Sequence, residues 1–181
     1  MKKFLKPLLI ATSVAAVIGV GAVSFAAWEG GSNPSVDVAG KTATISVYGF
    51  DSDEVTNPTN NLLPYNQGSD VGGNVRIWSI GLPTITAADA TKLQVKFTEA
   101  STFDASSKVY VKWSSTDVTS VPSTTDGYQV LSTTATDLTG ATFSANAETQ
   151  DAGYLVVILD SNKTSDMNKD IKITVSVEKQ A

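Results

Sequence analysis

Period-two alternation of apolar and polar residues, turn residues set between short apolar runs, and the lack of a helical stripe beyond residue 27 predict an all-β chain. The expected architecture is a single antiparallel β-sandwich, jelly-roll or immunoglobulin-like, preceded by a signal peptide. Three segments follow from this reading: residues 1–27 as the signal, 28–40 as an extended N-terminal stretch, and 41–181 as the sandwich domain.

The first segment opens with Lys2, Lys3 and Lys6 and continues without a charge from Leu8 to Ala27. A basic start, an apolar middle and small residues at Ser24, Ala26 and Ala27 are the pattern of a secretory leader cleaved near Ala26 or Ala27. The alternative is an uncleaved anchor, since about twenty apolar residues can span a bilayer. The abundance of Ala, Gly and Ser favours cleavage.

Residues 28–40, WEGGSNPSVDVAG, combine a flexible Gly30-Gly31-Ser32-Asn33 stretch with Trp28, Val36 and Val38 at one parity. Such a segment suits donor-strand complementation, in which one subunit's terminus completes another's sheet. Pro34 cannot donate to a ladder and would interrupt the pairing.

Further on, Thr91–Glu99 places Leu93, Val95 and Phe97 on one face, and Asp170–Glu178 does the same with Ile171, Ile173, Val175 and Val177. Lys108–Ser114 alternates Val109, Val111 and Trp113 with polar residues and Tyr110. These are strands of a sheet with one wet face. Tyr154–Leu159 is apolar throughout and is expected at the centre, covered on both sides. Weaker strands are expected at Thr42–Tyr48, Val75–Ile80, Tyr128–Leu131 and Ala141–Ser144, and a short helical turn at Ala87–Ala90 with Thr86 as its cap. Turns are expected at Gly72-Gly73-Asn74, Asp126-Gly127, Thr139-Gly140 and Asp160-Ser161-Asn162. The polar stretch Asp51–Asp70 reads as a surface excursion with little to bury.

Composition narrows the chemistry. The chain has 181 residues with no Cys and no His, which rules out Ser-His-Asp and Cys-His catalysis, HExxH zinc sites and disulfides. Removing the leader with its three lysines leaves 10 basic residues against 18 acidic ones, net −8. A surface that acidic repels phosphate backbones, so nucleic acid is not an expected partner. The carboxylates are scattered over turns and strand ends without an aromatic groove beside them, so no catalytic residue and no enzymatic activity is expected.

Two oxygen-rich stretches fit a hard cation such as Ca²⁺: Asp51, Asp53 and Glu54, and the spaced set Asp160, Asn162, Asp166, Asn168 and Asp170. The second lacks the glycine and the bidentate glutamate of an EF-hand loop, and solvated turn residues are the plainer reading. Trp78 and Trp113 are expected in sheet packing, with a sugar-binding face as the alternative. Asn162-Lys163-Thr164 is an N-glycosylation sequon in an expected loop.

The stretch Ser24-Phe25-Ala26-Ala27-Trp28 resembles the end of the signal peptide in the TasA and camelysin family of secreted biofilm matrix fibre proteins. In that family a hydroxyl residue, an aromatic, a small pair and a second aromatic mark the processing site. The resemblance covers roughly the first 28 residues; Gly21-Ala22-Val23 stands where the family has a glycine run, and Leu62-Leu63-Pro64-Tyr65-Asn66 loosely resembles a turn of the same family. It implies signal cleavage between Ala27 and Trp28 and an extracellular fibre subunit. The camelysin branch is described as metalloprotease, an activity not carried over to a chain without histidine.

The expectation is therefore a secreted, non-enzymatic protein of the extracellular matrix or cell surface, free of the membrane after cleavage. It self-associates into a homopolymer through Trp28, Val36 and Val38. One alternative is a monomeric glycan- or cell-wall-binding sandwich; another is a surface domain tethered by its retained leader.

Overall fold

The computed structural model describes residues 44–181 apart from Val71, Met167 and Asn168. Its strands are β1 (Thr44–Tyr48), β2 (Trp78–Gly81), β3 (Ile85–Ala87), β4 (Thr91–Phe97), β5 (Lys108–Ser114), β6 (Gln129–Val130), β7 (Thr136–Phe143), β8 (Asn146–Gln150), β9 (Tyr154–Asp160) and β10 (Lys172–Lys179). A 3₁₀ turn spans Thr164–Asp166. One sheet has the order β1-β10-β4-β7, a second has β2-β9-β5-β6, and β3 pairs with β8 in a small ribbon.

The alternating strands form as their patterns require. In β4, Leu93 and Val95 are fully buried while Lys92, Gln94 and Lys96 are half-buried on the other face. In β10, Ile173 and Val175 turn inward towards β5 and β9 residues such as Val111 and Val157, and one apolar core runs between the two sheets. The fold is the expected β-sandwich.

β9 lies between β2 and β5 and is buried on both faces. Leu155, Val157 and Leu159 enter the main core, whereas Val156 and Ile158 are equally buried on the outer face. The loop after β5 approaches that face: Val118 N–H donates to Oγ of Ser79, the residue opposite Val156. A strand without polar alternation thus finds cover on both sides.

Several expectations need correction. The sandwich is not wholly antiparallel, because β1 runs parallel to β10, with Ile45 opposite Ile173 and Val47 opposite Val175. Ala87–Ala90 is not helical: Ala87 ends β3, where it is paired with β8, a strand the polar sequence NAETQ did not announce. The strand expected at Ala141–Ser144 begins earlier, at Thr136, and is bulged against β4 between Lys92 and Gln94. The excursion 51–70 does bury side chains: Leu63 is 5% exposed, and Pro64 is fully buried beside Leu159. Among the described residues no helix is long and apolar enough to cross a membrane.

Candidate functional site: the seam between the two sheets

A sandwich has two open sides, where the edge strands of its sheets meet, and here they are closed differently. On one side stand β6 and β7. β6 is only two residues long, and β7 is bulged; both devices discourage pairing with another chain. Gln129 of β6 bridges to β7, its Nε2 donating to Asp137 O at 2.8 Å and its Oε1 accepting from Thr139 N–H at 2.9 Å. Trp113 closes the same side, donating from Nε1 to Ala152 O at 2.7 Å and meeting Phe143 edge-on at 6.2 Å.

On the other side stand β1 and β2. β1, TISVY, has no charge, no proline and no bulge, and among the described strands only β10 pairs with it. Likewise β2 pairs only with β9. Between the two edges runs the largely polar stretch 51–61, with Val55 packed against the core and Asn61 O accepting from Val75 N–H at 2.9 Å. Asp51 is held on β3 by Thr84 Oγ1 and by the N–H and Oγ1 of Thr86, each at 3.0 Å. Asn57 Oδ1 accepts from Ile45 N–H on β1 at 2.8 Å, and Asn60 O accepts from Trp78 Nε1 on β2 at 3.0 Å. A groove of about 370 Å³ remains along β2, walled on one side by residues 56–60 and on the other by Val75, Ile77, Trp78 and Ile80.

The sequence-derived donor residues Trp28, Val36 and Val38 and the cleavage pair Ala27 and Trp28 lie outside the described residues. The described calcium candidates have different surroundings. Asp160 Oδ1 accepts from Asn66 Nδ2, Asn162 is exposed, Asp170 is exposed beside Lys169 and Glu99, and Asn168 lies outside the described residues. Asp166 faces inward at 3% exposure, its Oδ1 accepting from Asp104 N–H at 2.8 Å and its Oδ2 from Ser161 Oγ at 2.7 Å. Ser107 Oγ donates on to Ser161 Oγ, so this carboxylate ties the loop before β5 to the loop after β9. Asp51 likewise has both oxygens engaged by β3, apart from Asp53 and Glu54. Among the described residues no three His, Cys, Asp or Glu side chains are placed to share a metal ion.

Trp78 is 3% exposed and belongs to the core, and Trp113 is partly buried against it. Exposed carboxylates serve local order. Hydrogen bonds from Ser106 hold the Asp104 carboxyl below the usual aspartate range. Those from Lys92 and Gln94 do the same for Asp137 on the outer face of the first sheet. Burial pushes the Tyr65 and Tyr128 phenols up, Tyr65 with help from Asp160 and Tyr110.

The roles of Asn57 and Gln129 had no signal in the sequence beyond amide chemistry, because each depends on a strand brought close by the fold. No known protein family matches the chain, and neither does any curated protein.

Proposed function

We propose that this chain is a secreted structural subunit that joins head to tail with copies of itself into an extracellular filament. The segment ahead of β1 in one copy completes the seam between β1 and β2 in the next. The observation that supports the reading is the seam: two edges without charge, proline or bulge, joined among the described residues by the stretch 51–61 and bordered by a groove lined by both polar and apolar residues. A strand added beside β1 would follow its alternation, directing every second side chain inward as Ile45 and Val47 are directed. Trp28, Val36 and Val38 share the parity to do so.

A contact of this type joins different surfaces of two copies and propagates without closing, which gives a filament in place of a ring. Its energetics are modest per link. Burying three large side chains yields on the order of 5–9 kcal/mol before costs, and ordering each residue takes about 1–2 kcal/mol. Edge hydrogen bonds and contacts between domains must supply the difference.

The test compares the chain beginning at Trp28 with one beginning at residue 39, by light scattering and electron microscopy. The longer chain forms filaments, and the shorter stays a folded monomer. Filaments from the shorter chain, or a monomer at every concentration of the longer one, would overturn the reading; the second result is what a monomeric binding module predicts.

A further inference from the structure

The edge that an incoming strand would use is already capped. Thr44 N–H donates to Ile171 O on the β10 side at 3.1 Å, and backbone amides alternate in direction along a strand. Ile45 N–H therefore points to the outer edge of β1, where it meets Asn57 Oδ1 at 2.8 Å. The carboxamide oxygen stands where a main-chain carbonyl of an added strand would stand. Asn57 is itself exposed, lies in the polar stretch that spans the seam, and lines the groove along β2.

We propose that Asn57 is a displaceable cap, holding the acceptor edge of β1 closed in the free subunit and leaving it when residues 28–40 of a second copy arrive. This rests on the polymerisation reading and adds to it the side chain that regulates assembly. Displacement is nearly balanced chemically, because Ile45 N–H exchanges one oxygen acceptor for another while the released carboxamide is hydrated. The opposite side of the sandwich shows what a firmer closure looks like, for Gln129 uses both ends of its amide on β7. The occupant is set by chain length as well: residues 28–43, extended at about 3.3 Å each, reach roughly 50 Å from the start of β1, enough to pass to a neighbouring copy.

Seeded filament growth tests the cap in the mature wild type, in Asn57→Ala and in Asn57→Asp, which keeps the acceptor oxygen. Asn57→Ala should elongate roughly three- to tenfold faster, with faster amide exchange at Ile45 in the monomer, and Asn57→Asp should stay within about twofold of wild type. Elongation of a folded Asn57→Ala chain at the wild-type rate or slower would overturn the cap alone. Cryo-electron microscopy of wild-type filaments gives an answer even if the alanine variant does not fold. Ile45 N–H bonded to a main-chain carbonyl of a second copy supports the proposal, and Asn57 still seated on Ile45 refutes it. A wild-type chain that forms no filaments overturns the parent reading, and the cap with it.

Discussion

The two open sides of this sandwich use the same chemistry to different depths. Where β6 meets β7, a glutamine amide makes two bonds to β7, a tryptophan fills the corner, and glycines let the chains approach closely. Where β1 meets β2, an exposed asparagine makes one bond to β1, and a groove is left open. An edge can thus be satisfied without being sealed. What separates the two is the number of edge groups met by side chains.

The largest effect should come from the closed side. Gly153 has φ +74°, and a β-carbon there would press on Ser114 O and crowd Trp113. Trp113→Ala should lower stability by about 3–5 kcal/mol in urea denaturation through the cavity it leaves. Gly153→Ala should fall in a similar range, combining an unfavourable backbone conformation with a clash against main chain. If either variant loses less than about 1 kcal/mol, that corner is not the firm closure described.

A smaller effect should come from the buried carboxylate. Asp166→Ala deprives Asp104 N–H and Ser161 Oγ of their acceptor, at a cost of about 1–3 kcal/mol. Millimolar Ca²⁺ should not raise the melting temperature of the wild type, since both Asp166 oxygens are already engaged. A clear rise would return the residues after β9 to consideration as a cation site.

Next come the two amides themselves. Gln129→Ala removes partners from two main-chain groups and should cost about 1–2 kcal/mol, against about 0.5–1 kcal/mol for Asn57→Ala, which removes a partner from one. Equal losses would erase the contrast between the two sides.

The smallest effect is electrostatic. Asp137 has its carboxyl lowered by hydrogen bonds from Lys92 and Gln94. A lowered native value means that the folded state favours the ionised form. The resulting stabilisation is fully present above the ordinary aspartate value of 3.8 and is lost as pH falls through the lowered one. Comparing wild type and Asp137→Asn, the difference in stability should shrink in acid and be screened by salt at neutral pH. A difference that grows on acidification would contradict this sign.

Reading the fold from sequence succeeded where one side chain pattern has one physical solution. The alternation of Lys108–Ser114 marks β5 to the residue, and YLVVIL lies at the centre of a sheet because a position there covers both of its faces. It failed where partners decide. Asn146–Gln150 carries no apolar alternation and is a strand only because Ile85–Ala87 lies alongside. Thr86 looked like a helix cap, yet its N–H and hydroxyl are both taken by Asp51, 35 residues away in sequence. Nor can the spacing of oxygens from Asp160 to Asp170 say that Asp166 turns inward while Asn162 turns out.

By itself, then, the chain's order of residues determined an all-β body, its central strand, its main core faces and the chemistry closed to a protein without thiol or imidazole, since these depend on periodicity and composition. Only the tertiary structure decided that β1 lies parallel to β10, that β1 and β2 border one seam, and that Asn57 and Gln129 cap opposite sides. Hydrogen bonds between distant segments form when the two segments are brought together, and no local pattern records which segments those will be.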